Sequence, residues 1–448
     1  MNPVTRIAPS PTGYLHFGLA RTALFCYLFA KKNSGSFILR IEDTDLERNR
    51  PEFEADIFEQ FAWLGLNADK TFKQSEHRPR HTEVLTDLIA RDLAYVSREP
   101  AKDDASKEVE VIRLRNSGQM ITFTDLIRGD ITFDTTELGD FVIARSMSEP
   151  LYHLAVVVDD HDEGVTHVIR GEDHVSNTQR HILLHQALGF EVPAYAHLPL
   201  ILMPDKSKMS KRREGSSVRY YREQGILPHA LINYVALLGW NPGTEQEIFT
   251  LQELIELFEI SSIHKSGAVF DVEKLRWYNK QYLARLSDEE FAAYALPALR
   301  TALEKRGVDW NDSIALKTVP VLRERIAASG DIAPMAEEGE FDYFFKHPEP
   351  DSASIVQKKS TAADASRHLQ KIHEVWSALA EESFADHDRL KESVWEYATS
   401  EGRGNVLWPL RYSLSGREKS PDPFMIASII GKHASLERIS NARQRLGL

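Results

Sequence analysis

The sequence contains a single cysteine, Cys26, among its 448 residues. One cysteine excludes an internal disulfide and the zinc sites that are built from several thiolates. No run of about eighteen apolar residues occurs, so the sequence predicts no transmembrane helix. The first residues lack the charged and then apolar segments of a secretory signal. We therefore expect a cytoplasmic protein, and the mature form of an organellar protein is the alternative interpretation.

Basic residues are also fewer than acidic residues. The chain has 54 Lys and Arg against 67 Asp and Glu, a formal net charge of -13 at pH 7. Such a chain is unsuited to coating nucleic acid without specificity. Binding to a structured RNA depends on a local basic surface instead. Composition therefore leaves the function open.

Apolar periodicity predicts an α/β domain at the start of the chain. Residues 5–8 read as a strand, a helix follows the loop that ends at Gly13, and residues 36–41 form a strand apolar enough for burial on both faces. The next helix opens at Pro51 and ends before Gly65. This alternation is typical of a parallel, doubly wound sheet.

The pattern changes in the remainder of the chain. After Pro228 it is mostly helical. The layout is therefore an α/β domain interrupted by an insertion and followed by helical domains. Between the two regions we predict a polar loop at 101–104, strands within 121–133 and at 141–144, 165–170 and 197–202, and a helix at 177–188.

Three segments carry residues suited to chemistry, and the first is the loop of residues 6–18. Two prolines and two glycines fix it between a strand and a helix start, where free backbone N–H groups attract phosphate. His16 can donate to a phosphate oxygen as charge builds in a transition state. A stiff turn with a capping histidine is the alternative interpretation of this loop.

The second segment, residues 204–213, packs basic residues beside Asp205. Lysines in a mobile loop can follow the charge of a triphosphate as pyrophosphate leaves. An exposed basic loop is the alternative, since most basic runs are only that.

The third segment, residues 37–45, ends a buried strand in acidic residues that can hold an ammonium group or cap the next helix. Arg170 ends another buried strand, and its planar guanidinium can bind a carboxylate.

Taken together, these segments resemble the glutamyl-tRNA synthetase family of class I. Residues 6–13 with residues 16–18 resemble the family's HIGH region, and residues 208–212 resemble its KMSKS loop. Residues 37–45 and 167–174 match the bacterial glutamyl form almost letter for letter. The resemblance implies ATP-dependent activation of L-glutamate to glutamyl-adenylate, followed by transfer to the 3'-terminal adenosine of tRNA(Glu).

The resemblance also implies roles for individual residues. The catalytic residues would be His16, Lys208 and Lys211. ATP would be bound by His16, Gly18, Lys208, Ser210 and Lys211. The glutamate pocket would be formed by Arg6, Ala8, Ser10, Glu42, Tyr152, Val156 and Arg170. Glu42 would meet the amino group, Arg6 and Tyr152 the side-chain carboxylate, and Arg170 the α-carboxylate.

The implied substrates and partners are ATP with Mg²⁺, L-glutamate and tRNA(Glu), with tRNA(Gln) as a second candidate. We expect a monomer with no membrane partner. Residues 95–100 lack the cysteines of the zinc site found in many bacterial relatives, and the insertion is shortened there. We therefore predict neither zinc nor any other protein-bound metal.

The resemblance implies an α/β fold. We expect a Rossmann-like doubly wound parallel sheet, interrupted by an inserted domain and followed by mostly α-helical C-terminal domains. The predicted domains are the first catalytic half at 1–75, an inserted acceptor-stem-binding domain at 76–165, the second catalytic half at 166–205, the KMSKS loop with a stem-contact domain at 206–286, and a helical anticodon-binding region at 287–448.

Three relatives compete with this interpretation. A glutaminyl-tRNA synthetase shares the fold and both motifs but has a β-barrel tail where this chain is helical. A shortened paralogue that glutamylates a modified anticodon base lacks the two hundred or so residues that follow Arg212 here. A catalytically silent tRNA-binding paralogue is disfavoured by the intact His16, Lys208 and Lys211.

Overall fold

The computed structural model describes residues 2–45, 47–100, 106–207, 209, 215–358 and 360–447. The chain divides into an N-terminal unit, Met1–Asn279, and a C-terminal unit, Lys280–Leu448. None of the described helices combines the length and the apolar character needed to cross a membrane.

The strands of the described chain all begin within the N-terminal unit. They are β1 (Val4–Ile7), β2 (Ser36–Ile41), β3 (Lys70–Lys73), β4 (Ala94–Pro100), β5 (Glu108–Leu114), β6 (Met120–Asp125), β7 (Gly129–Asp134), β8 (Phe141–Ser146), β9 (Glu149–Pro150), β10 (His167–Gly171), β11 (Ala194–Leu198), β12 (Ile201–Leu202) and β13 (Ala268–Val269).

The helices alternate with these strands and then fill the C-terminal unit. They are α1 (Phe17–Lys32), α2 (Pro51–Trp63), α3 (Arg78–Ala90), α4 (Tyr152–Asp162), α5 (Val175–Leu188), α6 (Val218–Glu223), α7 (Pro228–Leu237), α8 (Leu251–Leu257), α9 (Val272–Leu283), α10 (Asp288–Lys305), α11 (Asp312–Lys317), α12 (Val319–Arg325), α13 (Ile332–Glu337), α14 (Asp342–Phe345), α15 (Ser352–Ile355), α16 (Ala362–Ala378), α17 (His387–Glu401), α18 (Arg403–Ser415) and α19 (Pro423–Arg445).

A seven-stranded sheet organises the N-terminal unit, in the order β3-β2-β1-β10-β11-β6-β7. All neighbours are parallel except β6 and β7, which form an antiparallel hairpin. The chain winds outward from β1 in one direction and from β10 in the other, so the winding reverses between these two strands. The predicted α/β class, with a doubly wound parallel sheet and a helical C-terminal region, is confirmed.

The strand predicted at 36–41 coincides with β2, whose last five residues are buried. The strand predicted at 197–202 is wrong as a single element, because β11 ends at Leu198 and β12 belongs to a separate two-stranded sheet with β13. Pro199 lies between them and has no N–H to donate to a ladder. The polar loop predicted at 101–104 lies outside the described residues.

The segment predicted as an inserted domain, residues 76–165, is shared between two sheets. Strands β4, β5, β8 and β9 form an antiparallel sheet of their own, whereas β6 and β7 extend the seven-stranded sheet. The predicted division into five domains stays a prediction.

Helices form all the regular structure of the C-terminal unit within its described residues, apart from short 3-10 turns. Arg438, on α19, is buried within this unit. Its guanidinium donates to the carbonyl oxygens of Tyr343 and Leu414, both at 2.7 Å, and of Lys346 at 3.2 Å. Burial lowers the pKa of Arg438 to about 10. One buried side chain therefore joins three segments of this unit.

Replacing Arg438 with methionine keeps an unbranched chain of similar size but leaves buried carbonyl oxygens without a donor. We expect Arg438→Met to lower the free energy of unfolding by about 3 kcal/mol. Urea denaturation followed by circular dichroism measures this change. Arg445→Met, in the same helix but exposed, is the matched control and should change stability by less than about 0.5 kcal/mol. Equal effects of the two substitutions would contradict this account.

Candidate functional site

A cavity of about 660 Å³ opens at the carboxyl ends of β1, β2 and β10. This is the point where the winding of the sheet reverses, and open α/β sheets bind ligands at such points because the loops diverge there. The cavity is lined by Arg6, Ile7, Ala8, Pro9, Ser10, His16, Gly18, Leu19, Arg21, Thr22, Glu42, Tyr152, Ile169, Arg170, Gly171, Asp173, His174, Pro199, Leu200, Ile201, Met209 and Ser216.

Most of the side chains predicted for the site meet in this cavity. Those that line it are Arg6, Ala8, Ser10, His16, Gly18, Glu42, Tyr152 and Arg170. Val156 does not line it and lies buried in α4, one turn beyond Tyr152. Lys208, Ser210 and Lys211 lie outside the described residues, but the described neighbours Met209 and Ser216 both line the cavity.

His16 closes the loop between β1 and α1 as the N-cap of that helix. Its Nδ1 accepts a hydrogen bond from the backbone N–H of Leu19 at 3.2 Å. A Cβ atom added to Gly18 would meet the His16 ring at 3.2 Å, so glycine lets the ring lie against the helix start. His16 thus caps α1 and also faces the cavity, and the two interpretations of this loop are compatible.

The carboxylate of Asp160, on α4, holds two arginines of the site. Both of its oxygens lie 3.1 Å from Nε of Arg6, and one lies 2.6 Å from the guanidinium of Arg40. Arg40 in turn donates to Glu42 at 3.3 Å. The two terminal nitrogens of Arg6 have no hydrogen-bond partner among the described residues, and Arg6 lines the cavity. Unpaired N–H donors of Arg6 and the carboxylate of Glu42 are therefore available to a ligand in the cavity.

Burial and charge have opposite effects on these carboxyl groups. Burial alone would raise the pKa of Asp160, but Arg6 and Arg40 lower it below its ordinary value. Burial raises the pKa of Glu42, and the charges of Arg40 and Arg6 offset only part of that rise. Asp160 is therefore ionised at neutral pH. The ionised form of Glu42, by contrast, is stabilised further when a cationic group enters the cavity.

Arg170, at the end of β10, has neutral neighbours instead. Its guanidinium donates to His197 Nε2 at 3.1 Å, to His181 Nδ1 at 3.2 Å and to the hydroxyl of Thr178 at 2.8 Å. It also donates to the carbonyl oxygen of His174 at 3.3 Å. Within the described residues Arg170 forms no ion pair, although it is 5% exposed.

The histidines around Arg170 remain uncharged at neutral pH. Burial, and next the charge of Arg170, lower the pKa of His174 to about 4 and that of His181 well below its ordinary value. Neutral rings accept hydrogen bonds but do not cancel the charge of Arg170. A buried cation of this kind is stabilised by an anion that enters the cavity.

The arrangement therefore suits a zwitterion with two carboxylates. Arg6 and Arg170 offer donors to the two anionic groups, and Glu42 offers an acceptor to an ammonium group. Among the described residues, no cluster of three or more His, Cys, Asp or Glu side chains is arranged to hold a metal ion.

Sequence reasoning assigned no role to Arg40 or Asp160, which hold Arg6 and Glu42 in place. Asp160 belongs to a pair of buried acidic residues that follows an apolar stretch of α4. Buried acidic residues at the end of an apolar helical segment require a cationic partner. That pattern was the available signal, but it could not identify Arg6 and Arg40 as the partners.

Comparison with known proteins places these observations in a family. The pattern described as "tRNA synthetases class I (E and Q), catalytic domain" matches residues 3–103 and 97–277. The pattern described as "Anticodon binding domain" matches residues 273–443. The catalytic pattern alone covers more than half of the chain.

Full-length relatives agree with the two patterns. The chain is 39% identical to "Glutamate--tRNA ligase 1" of Acidithiobacillus ferrooxidans over 471 aligned residues, covering 99% of each chain. It is 38% identical to "Glutamate--tRNA ligase" of Lawsonia intracellularis, again over 99% of each chain. A crystal structure of a glutamate tRNA ligase from Elizabethkingia meningosepticum in complex with its amino acid superposes with a TM-score of 0.86, at 32% identity over the whole of both chains.

The geometry around Asp160 generates a prediction on stability. Asp160→Asn should lower the free energy of unfolding by about 3 kcal/mol at pH 7, because two buried guanidinium groups lose their shared counter-charge. The folded-state pKa of Asp160 lies below the unfolded value of about 3.9. Its contribution is therefore complete above that value and is lost only as the pH falls through the folded-state pKa. Urea denaturation at pH 7 and pH 5 should give the same difference between variant and wild type.

Asp162→Asn is the matched control, on the same helix but partly exposed and paired with the exposed Arg80. It should cost less than about 1 kcal/mol. If the effect of Asp160→Asn already shrank between pH 7 and pH 5, the carboxyl would have a raised pKa and the ion pairs described above would be wrong.

Proposed function

Since the chain belongs to the family of class I tRNA synthetases for glutamate and glutamine, we propose that its cavity binds L-glutamate beside ATP through the residues described above. The reaction itself is that of a glutamate–tRNA ligase. The α-carboxylate of glutamate attacks the α-phosphate of ATP, forming glutamyl-adenylate and releasing pyrophosphate. A hydroxyl of the terminal adenosine of tRNA then attacks the glutamyl carbonyl and releases AMP.

The observation that carries the proposed binding mode is the uncompensated charge of Arg170 together with the unpaired nitrogens of Arg6. Arg170 binds the α-carboxylate in this proposal, and Arg6 with Tyr152 binds the side-chain carboxylate. Glu42 accepts the ammonium group, which supplies the cationic partner that its raised pKa calls for. Glutamine, which lacks the second charge, leaves a buried guanidinium poorly paired and is rejected.

ATP lies against the start of α1 in this proposal. His16 and Gly18 line the cavity there, and the N-terminus of a sixteen-residue helix favours phosphate. Mg²⁺ enters as the complex with ATP, because this ion takes most of its ligands from phosphates and water in such sites. Lys208, Ser210 and Lys211 complete the triphosphate site as compact positive charges, with Lys208 and Lys211 acting together with His16 in catalysis.

The tRNA partner follows from the anticodon-binding pattern over residues 273–443. We propose tRNA(Glu) as the substrate and tRNA(Gln) as the second candidate. We further propose that the chain acts as a monomer in the cytoplasm, where tRNA and ATP are used for protein synthesis.

Charging of tRNA with radiolabelled glutamate tests the binding mode. The wild type should charge a tRNA(Glu) transcript, and a parallel tRNA(Gln) transcript measures the selectivity. Arg170→Gln should raise the KM for glutamate about 100-fold, because a buried charge-assisted contact to the carboxylate is lost. The KM for ATP should stay within about twofold, since Arg170 contacts only the amino acid.

Arg91→Gln is the matched control, directly after the end of α3 and outside the cavity, and should charge like the wild type. An unchanged KM for glutamate in Arg170→Gln would overturn the proposed binding mode. Failure of the wild type to charge either tRNA would overturn the proposed function itself.

A further inference from the structure

Arg170 is held by a residue of the hairpin formed by β6 and β7, through an intervening histidine. His197, on β11, is fully buried, and its Nδ1 lies 2.6 Å from Oδ2 of Asp125 at the end of β6. Its Nε2 lies 3.1 Å from Nε of Arg170. A continuous chain of hydrogen bonds therefore runs from Asp125 through His197 to Arg170.

The donor and acceptor roles along these hydrogen bonds follow from the surroundings of Asp125. Its carboxylate accepts four N–H groups, from the backbones of Ile127 at 3.0 Å, Arg128 at 2.9 Å and His197 at 3.1 Å, and from Nδ1 of His197. Burial alone would raise the pKa of Asp125, but these hydrogen bonds lower it. Asp125 is thus ionised and can only accept, which places the His197 proton on Nδ1.

The lone pair on Nε2 of His197 is consequently the acceptor that Arg170 meets. Burial lowers the pKa of His197 and the charge of Arg170 adds to that effect, while Asp125 opposes both. The net shift is downward, so the ring remains neutral at neutral pH. The other tautomer would point an N–H at the N–H of Arg170 and drive the guanidinium away.

The remaining contacts of Arg170 leave it little freedom once Nε is held. One terminal nitrogen meets His181, and the other meets Thr178 and the carbonyl oxygen of His174. A planar guanidinium with its Nε and both terminal nitrogens engaged has a single orientation. Four of the five N–H groups are engaged in these contacts, so the contact at Nε helps to set the plane in which the remaining N–H meets a carboxylate.

We propose that Asp125 and His197 are positioning residues for the amino-acid substrate: Asp125 sets the tautomer of His197, and His197 sets the orientation in which Arg170 binds the carboxylate. This inference rests on the proposed role of Arg170 in glutamate binding. Neither Asp125 nor His197 lines the cavity, so both act through Arg170 and not on the substrate directly.

The hairpin contributes a second contact at the same place. Arg128 donates to the backbone carbonyl of His197 at 3.3 Å and forms an ion pair with Glu172. Glu172 accepts the backbone N–H of Leu200 at 2.8 Å, and Leu200 lines the cavity. The turn after β6 is thus tied to His197 and to the residues that follow β11, which gives Asp125 a fixed position from which to orient the ring.

Two substitutions at His197 separate positioning from packing. Glutamine places an amide oxygen near the position of Nε2 and can still accept from Arg170, but it loses the contact to Asp125. Asparagine reaches only as far as Nδ1, so it can still meet Asp125 but leaves Nε of Arg170 without an acceptor. Asparagine is one methylene smaller than glutamine and leaves more space, so a purely structural role would lower the melting temperature and raise both KM values, and would not raise the KM for glutamate alone.

The experiment measures the KM for glutamate, the KM for ATP and the melting temperature in tRNA charging by the full-length chain. We expect His197→Asn and Asp125→Asn to raise the KM for glutamate about tenfold, since each disturbs one buried hydrogen bond of Arg170. His197→Gln should stay within about threefold of the wild type, and the KM for ATP should stay within about twofold in all three variants. Asp130→Asn, on the exposed face of the same hairpin, is the matched control and should leave every constant unchanged.

An unchanged KM for glutamate in His197→Asn and Asp125→Asn would overturn the inference. Equal effects of His197→Gln and His197→Asn on the KM for glutamate would do so too, because only glutamine keeps an acceptor for Nε of Arg170. Should Asp125→Asn lose its melting transition, the two His197 variants decide the question. If Arg170→Gln raises the KM while these variants do not, only this inference fails; if Arg170→Gln also has no effect, the proposed binding mode fails first.

Discussion

The buried carboxylate of Asp160 is the interaction on which the rest of the site depends. Arg6 and Arg40 are 5% and 1% exposed, and two guanidinium groups cannot be placed side by side in a protein interior without an anion between them. Asp160 meets both, and by holding Nε of Arg6 it leaves the two terminal nitrogens of that residue for the cavity. Through Arg40 it also holds Glu42, so one carboxylate supports a cationic and an anionic side chain of the cavity.

The second arginine of the cavity is supported in a different way. Arg170 has histidine rings, a hydroxyl and a carbonyl around it, and none of these carries negative charge at neutral pH. The protein therefore gives one cavity arginine an internal counter-charge and leaves the other without one among the described residues. This division agrees with a ligand that has two carboxylates and one ammonium group, and with the glutamate–tRNA ligases to which the chain is similar.

The sheet brings these groups together because the chain winds in opposite directions from β1 and β10. Arg6 lies near the end of β1 and Arg170 near the end of β10, and these strands are direct neighbours although 164 positions separate the two arginines (170 less 6). The helix that carries Asp160 and Tyr152 comes between them in the chain and packs beside α5. Parallel strands end at one edge, so the loops that follow them surround one cavity.

The local character of the chain was readable from its sequence. The spacing of apolar residues predicted β2, and the order of strands and helices predicted the α/β class and the helical C-terminal region, because these features depend on periodicity within short windows. Motif resemblance brought Arg6, His16, Glu42 and Arg170 forward as site residues, and the fold places all four in one cavity. Only the tertiary structure decided which partners stabilise the charges of these residues and fix their orientation. Asp160 lies 154 positions from Arg6, and Asp125 lies 72 positions from His197. Contacts over such separations are set by strand order and helix packing, and no local pattern encodes which buried acid will face which buried base.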